Sequence, residues 1–373
     1  MNKRLCLIVY RGPLERSRLA FIIESLFTVY NNVEFIWINP QYESSRISHF
    51  NEFIGSYNFK KISIIGHTFF EYRSTKRKLN SLLDKNSNYD LALVGFSAAL
   101  FANFFNSIKT FWFINGIPEE RAMSRNKILS NFISRIQWII IRIILRADLV
   151  ITVSTRMNAY VLKNYRDAKV FAAPNCVSLS IFRAKADVIK KRKLFVYSGT
   201  AAPWQALELL ADIWKNIHEL DKSVYFRVIS RDQRCRVLAN GISVSNIEFT
   251  SSDNFNEVAE LLNEADVGFL VRRPHIVNEV SFPTKLGEYL ASGLWVVCSN
   301  IDWDAADYIR KHEVGCLIDP TNDPKSNARK ILNEYEKIQL STEFMYRVSQ
   351  GSLDLDRFAW VSKLSSEICK HVR

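Results

Sequence analysis

Residues 266–300 read DVGFLVRRPHIVNEVSFPTKLGEYLASGLWVVCSN, and the order of their apolar and polar stretches decides the fold. Residues 267–271 are a short apolar run of the kind buried on both faces of a parallel sheet. A polar loop with Arg272, Arg273 and His275 follows. Pro283 fixes the entry to a helix through Lys285, Glu288 and Leu290, Gly293 closes that helix as its C-cap, and residues 295–298 begin the next strand. The segment is therefore strand, loop, exposed helix N-terminus and strand, with cations close to the helix start. Free backbone amides and the helix dipole favour an anion there. Arg272, Arg273 and Lys285 would add charge-assisted bonds to a diphosphate. Glu288, one turn inside the helix, is placed to accept from vicinal hydroxyls such as those of a ribose.

The same rhythm extends in both directions. Apolar runs at 4–9, 33–38, 62–65, 91–94, 110–114, 149–153 and 170–173 alternate with helical patterns, the first of them at 14–27. The pattern restarts at 194–197 and continues at 225–229, 247–250, 267–271, 295–299 and 315–318. Alternation of this kind predicts open parallel sheets covered by helices on both faces. Two successive doubly wound α/β sheets are the simplest account, and 373 residues exceed one ordinary core. The expected organisation is a first domain at 1–177, a polar, basic linker at 178–192, a second domain at 193–355 and a C-terminal helix at 356–373. Ligands of such sheets bind at the carboxyl ends of the strands, so a cleft between the domains is the expected place for a site.

Charge is divided unevenly. Residues 1–180 hold 24 Lys and Arg against 12 Asp and Glu, whereas residues 181–373 hold 26 of each. A basic first half attracts phosphates on anionic lipid, on a phosphorylated acceptor or on nucleic acid. No nucleic-acid module is recognisable, so nucleic acid is not an expected partner. Six cysteines are scattered without a C-x-x-C pair, which argues against a disulfide framework and a zinc site and fits a reducing cytoplasm. The opening residues lack the long apolar stretch of a signal peptide. Residues 127–146, KILSNFISRIQWIIIRIILR, are too charged to span a bilayer. Arg135, Arg142 and Arg146 fall at i, i+7 and i+11, on one helical face beside a wide apolar circumference. That pattern fits a core helix whose arginines snorkel to the surface or a helix resting on anionic lipid, and the basic surroundings favour the second, an anionic membrane surface as partner.

The run S-F-P-T-K-L-G-E-Y-L-A-S-G-L-W-V-V at 281–297 resembles the donor-site signature of glycosyltransferase family 4 (group 1), particularly its polysaccharide-assembly branch. Residues 196–205, VYSGTAAPWQ, resemble the glycine loop that opens that family's donor domain. Residues 147–154 (ADLVITVS), 173–177 (APNCV) and 357–360 (RFAW) resemble further family landmarks, so the likeness runs from about residue 147 to the C-terminus. It implies the GT-B fold, two Rossmann-like domains facing a cleft, with the C-terminal helix crossing back to the first. The implied activity is retaining transfer from a nucleotide-diphosphate sugar, with no cofactor and no essential metal, cations replacing the metal at the departing diphosphate. On the family pattern Glu288 holds the nucleotide ribose, Gly199 lets the backbone approach the phosphates, and Ser281, Phe282, Pro283, Thr284 and Lys285 lie against sugar and phosphates. The polysaccharide branch implies a lipid-linked saccharide acceptor at the inner face of the cytoplasmic membrane, in lipopolysaccharide or capsule assembly.

Departures from the family pattern redistribute the roles. Val280 stands where many members have a second glutamate, so a contact to the donor sugar is either missing or supplied by Asn278 or Glu279. Thr200 and Gln205 replace the arginine and lysine of the glycine loop. Phosphate stabilisation then falls to Arg272, Arg273 or Lys285. Asn115, in FINGIP at 113–118, stands nearest to the family's sugar-facing histidine and either presents an amide or forms a turn. With these changes a second functional class stays open: a catalytically weakened, transferase-like binding or scaffold subunit.

Overall fold

The computed structural model of the protein describes residues 4–10, 16–39, 53–66, 77–79, 81, 89–105, 107–120, 123, 127–185, 192–338 and 342–372. The chain forms two compact units, residues 1–174 with 360–373, and residues 175–359. The stretch expected as a linker, 178–192, falls in the second unit, and its residues 186–191 lie outside the described residues.

The first unit carries a seven-stranded parallel sheet of β1 (Arg4–Tyr10), β2 (Asn32–Asn39), β3 (Lys61–Gly66), β4 (Asp90–Val94), β5 (Thr110–Phe113), β6 (Leu149–Thr152) and β7 (Val170–Ala172). Its order is β3-β2-β1-β4-β5-β6-β7. The second unit carries β8 (Lys193–Ser198), β9 (Val224–Ile229), β10 (Ile247–Thr250), β11 (Val267–Leu270), β12 (Trp295–Ser299) and β13 (Gly315–Ile318), in the order β10-β9-β8-β11-β12-β13. Every strand expected from the sequence is present, with ends differing by no more than one residue. In each sheet the order reverses beside the first strand, at β1/β4 and at β8/β11. Such switch points open a crevice beyond the carboxyl ends of the strands.

The helices of the two units include α1 (Arg16–Val29), α2 (Lys127–Ile144), α3 (Thr155–Asn164), α4 (Leu207–Leu220), α5 (Phe255–Asn263), α6 (Ile276–Glu279), α7 (Thr284–Ala291), α8 (Asp304–His312), α9 (Pro324–Ile338), α10 (Thr342–Asp354) and α11 (Arg357–Val372). In the second unit Trp214 of α4 is fully buried against Phe226 of β9 and Phe269 of β11, with ring centroids 4.8 and 5.6 Å apart. Strands β8 and β11 are clamped by Asp266, whose carboxylate accepts from Leu194 N at 2.9 Å while its own N donates to Leu194 O at 2.8 Å.

The C-terminal helix returns to the first unit. Residues 360–373 belong with it; Leu364 and Ile368 are fully buried, and Ser365 Oγ donates to Ser25 O of α1 at 3.0 Å. One sequence expectation needs correction. α2 ends at Ile144, so Arg146 lies past the helix and only Arg135 and Arg142 are helical. Five cysteines are buried and Cys369 is half-buried, all as free thiols.

Candidate functional site

The switch point of the second sheet places two loops side by side. β8 runs into Gly199, whose φ of +143 is a conformation that residues with a Cβ rarely adopt. The following residues form a tight loop. Tyr197 Oη donates to Thr200 O at 2.6 Å, Ala201 N donates to Asp232 Oδ2 at 3.1 Å, and Pro203–Gln205 make one 3-10 turn before α4. Burial pushes the Tyr197 phenol far up, so it stays protonated and keeps its role as donor. Hydrogen bonds from Arg234 hold the Asp232 carboxyl well below the usual carboxylate range, which keeps it an acceptor for the loop amide.

Two cations reach this loop from the second segment. Arg272 follows β11, is 5% exposed, and donates from Nη1 to Trp204 O at 2.9 Å. Its backbone N is fixed by Ser299 Oγ at 2.8 Å. The guanidinium therefore lies beneath the glycine loop, braces it, and adds a fixed positive field. Lys285 lies in the first turn of α7, with Nζ 3.3 Å from Gln205 Oε1 and 4.2 Å from the centre of the Tyr197 ring. A Cβ built on Gly199 would collide with that Nζ. The missing side chain at 199 is thus the space that the ammonium occupies.

The loop between β11 and α7 is tied at several points. Asn278 is buried and donates from Nδ2 to Arg273 O at 2.9 Å, and Ser281 Oγ donates to Asn278 O at 2.8 Å. Asn175 donates from Nδ2 to Phe282 O at 2.6 Å. His275 caps α6, its Nδ1 accepting from Val277 N at 3.2 Å, which is a structural role. Pro283 occupies the N-cap of α7 and supplies no capping side chain, so the positive end of the helix meets the site without one. Glu288 is half-buried one turn further, on the face that Lys285 shares at i, i+3. Tyr289 is fully buried behind it; its hydroxyl accepts from Ser198 N at 2.9 Å and joins α7 to the end of β8.

Gly199, Thr200, Gln205, Arg272 and Lys285 are thereby brought together, with residues 281–284 and Glu288 on the adjoining loop and helix. Arg273 is exposed, and its carbonyl is the acceptor for Asn278 Nδ2. Val280 is buried, and Glu279 beside it is half-exposed at the end of α6. Asn115 belongs to the first unit. It follows β5, and its Oδ1 accepts from Nε of buried Arg18 at 3.1 Å. Arg18 also donates to Ala173 O and Pro174 O at 2.9 and 3.0 Å, along the carboxyl edge of that sheet. Tyr197, Tyr289, Asn175 and Asp232 were not singled out from the sequence, although the first three lie within the runs that resemble the family. Among the described residues no group of three or more His, Cys, Asp or Glu comes together that could hold a metal ion.

Gly199→Ala should strain the backbone and push the Lys285 ammonium aside. We expect a stability loss of about 1–3 kcal/mol in urea unfolding. A folded variant of unchanged stability would show that the loop relaxes freely.

Residues 192–337 match a family model described as Glycosyl transferases group 1. The fold resembles sucrose-phosphate synthase from Thermosynechococcus elongatus, at 12% identity over 99% of this chain and 98% of that one, with a TM-score of 0.76. It also resembles the Anabaena protein HepE in complex with UDP-glucose, at 10% identity over 98% of this chain and 99% of that one, with a TM-score of 0.72. A third similar structure is WaaG, a glycosyltransferase involved in lipopolysaccharide biosynthesis, at 13% identity over 98% and 99%, with a TM-score of 0.63. No curated protein sequence matches the chain. At such identities the likeness is one of fold.

Proposed function

We infer that the chain is a glycosyltransferase whose second unit binds a nucleotide-diphosphate sugar and activates it for transfer with retention, a reading supported by the match of residues 192–337 to the group 1 family model. The observation that carries this reading is the pair of cations converging on one glycine loop, Arg272 beneath it and Lys285 across Gly199. Departure of a nucleoside diphosphate leaves negative charge on the β-phosphate. Fixed cations, loop amides and the start of α7 stabilise that charge without waiting for solvent to reorganise. In this reading Glu288 takes the ribose hydroxyls, residues 281–285 lie along sugar and phosphates, and the chemistry proceeds without a metal or cofactor.

The reading extends to the acceptor: a saccharide carried on a lipid at the inner face of the cytoplasmic membrane, extended during lipopolysaccharide or capsule assembly. The basic surplus of the first 180 residues supports a phosphorylated acceptor of this kind. In unit 1, Asn115 with its carboxamide held by Arg18 is the amide proposed to face the sugar.

Thermal unfolding in the presence of UDP-, GDP-, dTDP- and ADP-sugars tests the proposal. One nucleotide class should raise Tm in proportion to the logarithm of its concentration, and the same compound should be consumed on incubation. No shift with any of them would overturn the donor assignment. A shift without release of nucleotide would make the chain a binding or scaffold subunit.

A further inference from the structure

The apolar residues of α2 are not sorted as a core helix would sort them. Ser134, Trp138 and Ile141, with Leu145 just past the helix, are buried at the spacing i, i+4, i+7, i+11. This narrow inner stripe is anchored by Trp138, whose ring lies 4.9 Å from Phe96, 6.0 Å from Trp112 and 5.8 Å from Tyr160. Its Nε1 donates to Tyr160 Oη at 3.2 Å. The opposite, wider side is also apolar, and it faces outward. Phe132, Ile133, Ile136, Ile139, Ile140 and Ile143 are all exposed, Phe132 at 61% and Ile143 at 75%. They are six of the fifteen large exposed apolar residues among those described. At 100° per residue they form one continuous arc.

Arg135 and Arg142 run along a single border of that arc, and Arg146 continues the border beyond the helix end. All three are exposed; Arg142 Nε also donates to Asn164 O of α3. Residues 127–146 contain no Asp or Glu. A second copy of this helix would therefore bring no carboxylate to meet the arginines, whereas lipid phosphates would. No helix among the described residues is long and apolar enough to cross a membrane. A wide apolar face with a cationic border is the surface that lies in the boundary between headgroups and acyl chains.

We propose that the outer face of α2 is a membrane-docking surface for an anionic bilayer. The six apolar side chains enter the headgroup–acyl boundary, and Arg135, Arg142 and Arg146 contact phosphates along one side. The single cationic border sets the roll of the helix, since phosphates must lie on that side. This inference rests on the acceptor half of the proposed function and names the surface that would bring the enzyme to a lipid-held substrate. Because the buried residues of α2 lie on the inner stripe, the exposed outer residues can be changed without opening the core.

The test is sedimentation of the full chain with vesicles of phosphatidylcholine, alone or mixed with phosphatidylglycerol, without nucleotide sugar. Binding should favour the mixed vesicles and weaken as salt rises. I136S/I139S/I143S should reduce binding by roughly tenfold, from the apolar area it withholds. R135Q/R146Q should reduce it by about fivefold for each arginine, the equivalent of about 1 kcal/mol per cation near an anionic surface. Circular dichroism should show both variants folded. No binding by the wild-type chain, or unchanged binding in either variant, overturns the proposal. A dimer in light scattering that the serine variant dissociates also overturns it and assigns the face to self-association. Transfer to a soluble acceptor is measured separately, so failure of docking and failure of the donor assignment remain distinguishable.

Discussion

Lys285→Ala is expected to lower turnover by about a hundred- to a thousandfold while changing nucleotide-sugar affinity far less, as loss of one preorganised donor at a developing anion does. The reason is geometric. The ammonium lies against the loop glycine, 3.3 Å from Gln205 Oε1, in the first turn of the helix expected to meet the diphosphate. In the ground state the diphosphate charge is spread over both phosphates. On cleavage it grows at the leaving oxygen, and a cation placed there acts more strongly on the transition state than on the bound donor. Kinetics separate this from simple binding, since a pure affinity residue would raise KM and leave kcat alone. Circular dichroism and urea unfolding serve as folding controls. A rise in KM at unchanged kcat would reassign Lys285 from leaving-group stabilisation to donor capture.

Glu288→Ala should act mainly on affinity. A lost hydrogen bond to a charged group costs about 1.5–3 kcal/mol, so nucleotide binding should weaken by roughly ten- to a hundredfold, measured by calorimetry with the nucleoside diphosphate. Glu288→Gln keeps the shape and one acceptor and should fall between wild type and alanine. Glu288 is half-buried while its neighbours Gly287, Tyr289 and Leu290 carry the packing, so the fold should survive both changes. Full affinity in folded Glu288→Ala protein would remove the ribose contact from the proposed site.

Much of the architecture was legible because each strand is a short apolar run bounded by polar residues, and parallel strands buried on both faces leave that mark. Residues 247–250 and 315–318 were located to the residue. Strand order was not legible, since it depends on which face each crossover helix covers rather than on any local pattern. In the candidate site, Arg272, Lys285 and Glu288 stood out because charge is visible residue by residue, and Gly199 through the family resemblance of the loop that holds it. That Lys285 fills the space left by Gly199 was not visible, because the two are far apart in sequence and meet only through the pairing of β8 with β11. Tyr197 and Tyr289 were hidden for a different reason. Each reads as an ordinary core aromatic, and only the position of its hydroxyl, on Thr200 O and Ser198 N, ties it to the loop. The arginine spacing in α2 was equally legible, but not the direction its apolar side faces. Periodicity defines a face without saying what lies opposite.

The division of the chain also has a consequence for its birth on the ribosome. The second unit is one unbroken stretch, residues 175–359, and can close as soon as that stretch has emerged. The first unit is begun earlier yet finished later, because its α1 is covered by residues 360–373, through buried Leu364 and Ile368 and the Ser365–Ser25 bond. Until those residues appear, the nascent first unit holds an uncovered apolar patch while nearly two hundred further residues are being made. Chaperone dependence in the cell should therefore centre on α1, and a stop codon before residue 360 should leave the second unit foldable and the first prone to aggregate.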